Sequence, residues 1–224
     1  MSESCAISLL RLNLTQRCFR VLVLSALNAG VILGAAVIQL PQLYSVWAAK
    51  SARGISEVSV VVGVISQSMY ITYCLRQELS MTSWAESGLV GIQLVVLLSM
   101  MWLYSSKPSR LISGAMAWIA LLTAMYRVPH RHLWLLGILP SQLGAAGRVP
   151  QLIVTWRLKS LGTLSVVPFI GAALGNLARI ITTAAEVDDT IVLVGHAIAF
   201  GSNIAPVLQA GYYYAKSHRD NKED

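Results

Sequence analysis

Seven apolar stretches, each about as long as a bilayer crossing, leave this chain few folds to choose from. Hydropathy and punctuation place them near residues 22–47, 57–76, 85–105, 111–127, 133–156, 165–185 and 190–214. The fourth is short, because the run from Arg127 through Pro129 to His132 interrupts it. Within hydrocarbon every backbone polar group needs an internal partner, so stretches of this kind become α-helices. Charged residues make up only 12% of the chain and hydrophobic ones 55%, whereas a soluble domain carries about a quarter charged residues. Too little polar surface remains to face water on all sides. The expected fold is therefore an all-α, polytopic membrane protein with the lipid bilayer as its solvent.

A repeat sharpens that expectation. Residues 41–56 read PQLYSVWAAKSARGIS and residues 150–165 read PQLIVTWRLKSLGTLS. Pro41, Gln42, Leu43, Trp47, Lys50, Ser51 and Ser56 each recur 109 positions later, and the same offset carries Tyr104 onto Tyr213. Self-similarity at one fixed offset is the signature of a duplicated structural unit. One period spans four crossings, so the first and fifth spans run in the same direction. The chain then divides into an N-terminal segment 1–21, a first three-helix repeat 22–110, a linker helix 111–132, a second three-helix repeat 133–216 and a charged tail 217–224. Two parallel repeats about an axis along the membrane normal are an established transporter plan.

The formal net charge of +7 arises from basic residues placed between spans rather than in a patch, which argues for membrane sidedness and against nucleic acid. The loops after spans one, three and five and the C-terminal tail carry Lys50, Arg53, Lys107, Arg110, Arg157, Lys159, Lys216, Arg219 and Lys222, nine in all. The other side carries six: Arg11, Arg17, Arg20, Arg76, Arg127 and Arg131. The bias predicts a cytosolic C-terminus and an N-terminus on the lumenal or outer side. Cys5, Cys18 and Cys74 are odd in number and lack a C-x-x-C spacing, so they suggest neither a disulfide framework nor a zinc site.

Proline inside a helix deletes a backbone hydrogen bond. Pro41 and Pro150 are therefore read as matched faults in spans one and five, with the Gln42 and Gln151 amides beside them to satisfy the loosened backbone. They form candidate hinges or static kinks. Gln39 and Arg148 precede the prolines at equivalent places, Gln67 matches Asn176, and Gln93 matches Ser202, with Asn203 next to it. Such groups can line a pathway between the halves; alternatively Arg148 snorkels to the headgroups and the amides and hydroxyls tie helices together. Arg179, within span six, must face the protein interior or water. It is read either as an anion site, since guanidinium grips phosphate oxygens, or as one half of an ion pair with Glu86 or Glu186. His130, His132 and His218 fall in loops or the tail and His196 stands alone in span seven, so neither a catalytic group nor a metal or cofactor site is expected.

The duplicated Pro-Gln pairs, each followed by Lys-Ser, resemble the PQ-loop superfamily, which includes the SWEET sugar transporters and the lysosomal amino-acid exporters. Within it, Lys50-Ser-Ala-Arg-Gly-Ile-Ser56, Thr82-Ser-Trp-Ala-Glu86 and Leu177-Ala-Arg-Ile-Ile-Thr-Thr183 are similar to the mannose-phosphate-dolichol utilisation defect 1 branch. That resemblance implies an endoplasmic-reticulum protein needed for mannose-phosphate-dolichol and glucose-phosphate-dolichol to act as donors in N-glycan and glycosylphosphatidylinositol-anchor assembly. It implies dolichol-phosphate sugars and dolichol-dependent glycosyltransferases as partners. The residues alone leave two other readings open: an alternating-access transporter of a small sugar or amino acid, and a membrane scaffold whose polar residues are all packing.

Overall fold

A computed structural model describes residues 16–53, 55–105, 108–158 and 167–223. The elements are α1 (Gln16–Val37), α2 (Leu40–Ala49), α3 (Glu57–Arg76), α4 (Met81–Tyr104), α5 (Ser109–Tyr126), a 3-10 turn His130–His132, α6 (Trp134–Leu158), α7 (Val167–Glu186) and α8 (Thr190–Glu223). Taking α1 and α2 together, these are the seven expected spans. Five are long and apolar enough to cross a membrane on composition alone. The other two, α6 and α7, have 25 and 20 residues, enough for the roughly 30 Å hydrocarbon core.

Local signals set the boundaries. Lys50 ends α2 in the left-handed region at φ 48°, returning its N–H to Trp47 O. Ser56 caps α3 by accepting from Ser59 N, and Glu57 sits in the first turn, where an acidic side chain complements the helix dipole. Asp189 caps α8, its Oδ1 accepting from Ile191 N and Val192 N at 2.9 and 3.1 Å.

The first span is broken rather than kinked. Pro41 lies in the first turn of a new helix, α2, where its missing N–H is not required. The Gln93 side chain on α4 closes the break. Its Oε1 accepts from Gln39 N at 3.1 Å, and its Nε2 donates to Ala35 O at 2.8 Å and Ala36 O at 3.2 Å. Gln39 N and Ala35 O are the donor and acceptor of one ordinary helical rung, so the amide is inserted into that rung. The expectation that Gln42 would satisfy the loosened backbone is therefore corrected: the neighbouring helix supplies the amide, and Gln42 is only half-buried. In the second half the backbone of α6 is helical through 148–151, while the side chains of Arg148, Pro150 and Gln151 lie outside the described residues.

Packing follows the repeat. In the first half, α4 lies against both α1 and α3; in the second, α8 lies against both α6 and α7. The third helix of each unit thus sits between its first and second. The halves meet where α3 packs on α6 and where α1 packs on α7, which closes a ring of six helices. The linker α5 stays outside the ring, on α3 and α4. Its Gly114 is pressed against Trp102, whose ring would overlap a Cβ at that position, and its Trp118 Nε1 donates to Ser68 Oγ at 3.0 Å. The first half has an apolar core around Val46, Val64 and Leu97. A second, around Tyr73, Leu133 and Val192, joins α3 to α6 and α8. Cys18, near the start of α1, is disulfide-bonded to a partner outside the described residues, contrary to the reading of the cysteine spacing; Cys74 is free and buried.

Candidate functional site, a central cavity between the two halves

The six-helix ring encloses a cavity of about 920 Å³ to which all six helices contribute. On α1 its wall runs from Ala26 to Gln39, roughly 20 Å of helix, so it extends from mid-membrane toward the Pro41 end. Of the residues singled out by their polarity, Gln39, Gln67, Glu86, Asn176, Arg179 and Asn203 all line it. Gln93 does not belong to that wall; it is occupied in bridging α1 and α2.

At the far end from Pro41, Arg179 is only 4% exposed. Its Nε lies 2.9 Å from Glu86 Oε2, an ion pair whose N–H direction falls short of a hydrogen bond. Its Nη1 donates to Asn28 Oδ1 at 3.1 Å, and Asn28 Nδ2 donates to Glu186 Oε2 at 2.9 Å. The four side chains therefore alternate between halves: Glu86 on α4, Arg179 on α7, Asn28 on α1, Glu186 on α7. Arg179 Nη2 and Asn203 Oδ1 are buried without a hydrogen-bond partner among the described residues. A further link between halves at this end is Tyr73 Oη, which donates to Asp189 Oδ2 at 2.7 Å.

Of the two readings of Arg179, the ion pair is the one the side chains adopt, and both carboxylates considered for it take part: Glu86 directly and Glu186 through Asn28. Two amides satisfy themselves locally while still facing the cavity, since Asn176 Nδ2 donates to Ala172 O at 2.7 Å and Asn203 Nδ2 to Ala199 O at 2.8 Å. Each spends one donor on its own helix and keeps further hydrogen-bonding capacity.

The wall between α1 and α7 is distinct. Gly30, Gly34, Gly171 and Gly175 line the cavity there, and a Cβ on any of them would meet nothing within 4 Å. Ile38 and Leu174, on the same wall, are 64% and 61% exposed. The two helices are joined at Asn28, Arg179 and Glu186 and part toward the Pro41 end. Asn28, Ser87 and Ser141 also belong to the site, although none stood out in the sequence. Asn28, an amide in mid-span, is the one whose cost in lipid could have signalled it.

At the Pro41 end the polar links run within each half. Lys50 Nζ sits 4.9 Å from the Trp47 ring centre and 3.5 Å from Tyr104 Oη, and Tyr213 Oη donates to Trp156 O at 3.3 Å. Trp47, Lys50 and Tyr104 recur at the 109 offset as Trp156, Lys159 and Tyr213, and in each half the tyrosine reaches back to the segment that carries the tryptophan.

Comparison with known proteins agrees with this architecture. The sequence pattern of the PQ loop repeat matches twice, at residues 23–82 and 133–192. The chain is 25% identical to human solute carrier family 66 member 3 over 172 residues, covering 75% of this chain and 83% of that protein. Two matched copies of the pattern, over more than half of the chain and arranged as two like-oriented helix triplets, establish that it belongs to the PQ-loop repeat family.

Proposed function

We propose that this chain is an endoplasmic-reticulum membrane protein that enables mannose-phosphate-dolichol and glucose-phosphate-dolichol to serve as glycosyl donors, by holding or moving the lipid-linked sugar. The observation that carries this reading is the cavity's split character. Its interior offers amides and hydroxyls to a sugar, while the α1–α7 wall is a gap of glycines flanked by exposed Ile38 and Leu174. A polyprenyl-linked sugar needs both, a polar chamber for the head and an apolar exit for the tail. The stretches at Lys50–Ser56, Thr82–Glu86 and Leu177–Thr183 support the same branch of the family. The chain acts without covalent chemistry, and the Pro41 and Pro150 regions are the places where its halves flex. The excess of basic residues on the Pro41 side supports a cytosolic C-terminus. The disulfide at Cys18 supports a lumenal N-terminus, because such bonds persist in oxidising compartments.

Genetic rescue tests the proposal. Expressed in cells lacking their own family member, the chain should restore lipid-linked mannosylation while donor synthesis stays unchanged. Correct delivery to the endoplasmic reticulum without restored mannosylation would refute it. A second reading, carriage of a small soluble sugar or amino acid, is favoured by the cavity's central place between like-oriented halves and by the name of the human relative. Flux of such a solute into proteoliposomes would favour it over the first.

A further inference from the structure

The duplication sets the Arg179 cluster against a counterpart in which two of its side chains are missing. At the 109 offset Asn28 corresponds to Gly137, Glu86 to Gly195 and Arg179 to Tyr70. Where the first set fills its space with an ion pair and an amide, the second bounds a chamber of about 150 Å³. Tyr70, Gly137 and Gly195 all line it, together with Ser66 and His196. Gln67, Ser87 and Ser141 line both this chamber and the central cavity, so the two share a wall. A space of about this size in a protein interior accommodates one six-membered ring.

The lining is apolar over most of its area, with the polar groups of Ser66, Gln67, Tyr70, Ser87, Ser141 and His196 set into it, and it carries no Lys, Arg, Asp or Glu. The nearby Arg179 and Glu86 are paired with each other. Tyr70 Oη donates to Ser83 O at 3.3 Å and lies 3.4 Å from His196 Nε2, and Ser141 Oγ donates to Ile138 O at 2.7 Å. Ser66, Gln67 and Ser87, by contrast, make no side-chain hydrogen bond among the described residues. Ser68, Thr72, Ser99 and Thr123, by comparison, each return their hydroxyl to a carbonyl one turn back. Two hydroxyls and an amide are thus left at the edge of a ring-sized space with no net charge.

We propose that this side chamber binds the neutral ring of a hexose, entered from the central cavity, with Ser66, Gln67 and Ser87 meeting its hydroxyls. It rests on the reading of the cavity as a sugar-handling site and adds where the ring sits. Gly195 gives a clean probe. A Cβ there would lie 3.7 Å from Gly137 O and 3.8 Å from Ser141 Oγ, ordinary contact that the fold accepts, yet it would project into the chamber. Gly137 is unsuitable, because its Cβ would come within 2.8 Å of Ile191 Cγ2.

The test follows thermal unfolding of the detergent-purified full chain in increasing methyl α-mannopyranoside or methyl α-glucopyranoside. Wild type should show a saturable rise in midpoint. Gly195→Ala, and separately Ser66→Ala with Ser87→Ala, should weaken the apparent affinity by about tenfold or more while leaving the sugar-free midpoint close to wild type. If Gly195→Ala does not fold, the serine pair decides. No saturable rise in wild type, or a rise that neither variant alters, overturns the proposal. The two readings fail separately. Rescue of mannosylation by wild type and equally by Gly195→Ala removes the chamber and keeps the donor function; Gly195-sensitive hexoside binding without rescue does the reverse.

Discussion

Replacing Gln93 with Leu should destabilise the first half far more than the same change at Gln42, although Gln42 is the glutamine adjacent to proline. Gln93→Leu removes three hydrogen bonds at once and strands Gln39 N–H, Ala35 O and Ala36 O at the break between α1 and α2. Hydrogen bonds between membrane helices average about 0.6 kcal/mol and reach about 1.7, while a buried group left without a partner costs about 1–3 kcal/mol. Ala35 is buried, so its carbonyl loses most. Gln39 lines the cavity, where water can reach its N–H, so the three stranded groups together should cost about 2–3 kcal/mol. Gln42→Leu should change stability by less than about 0.5 kcal/mol. Reversible unfolding in mixed micelles with increasing sodium dodecyl sulfate measures both variants in one assay. Equal costs at the two positions, or a Gln93→Leu cost below about 0.5 kcal/mol, would refute the inserted-amide account.

Arg179→Met leaves the Glu86 carboxylate buried without its partner and should cost about 3–5 kcal/mol. Adding Glu86→Leu should recover a good part of that loss, so strictly additive costs in the same unfolding assay would dismiss the pair. Gly114→Ala forces the Trp102 ring away from α5 and should lower stability by about 1–3 kcal/mol, whereas Gly34→Ala, facing open space, should be close to neutral for folding; a reversed order of melting temperatures would count against the packing described. Of the three cysteines only Cys74 should react with maleimide in denaturant without reductant, and all three after reduction. Intact mass spectrometry reads one adduct against three, and three adducts without reductant would exclude the disulfide at Cys18.

Features that repeat, or that lipid makes costly, were legible in the sequence. Trp47, Lys50 and Tyr104 form one contact set in the first half, and the sequence repeats all three residue types 109 positions on. Arg179 and Glu86 could be matched because a charge in a span needs a counter-charge and few were on offer. Proline marked where span one would be faulted, but not what would repair it. Gln42 looked suited only by adjacency, whereas Gln93 reaches the break across 54 positions of sequence. Asn28 is less legible, because a single amide in a glycine-rich and alanine-rich helix reads as packing. The side chamber is illegible for a different reason: glycine announces space only against what its symmetry mate holds, and Gly137 and Gly195 acquire that meaning only beside Asn28 and Glu86.

The broken rung in the first span also bears on the order in which the chain can be assembled. When α1 and α2 leave the ribosome, the amide that completes them has not yet been synthesised, because it belongs to α4. The same is true of Asn28, whose Arg179 partner arrives 151 residues later. The leading segment must therefore wait beside water or the insertion machinery with its polar groups open: the break between α1 and α2 closes when the third span of its own unit docks, and Asn28 is satisfied when the second half arrives. Biogenesis of the N-terminal half is in this sense a commitment made by its last helix rather than its first.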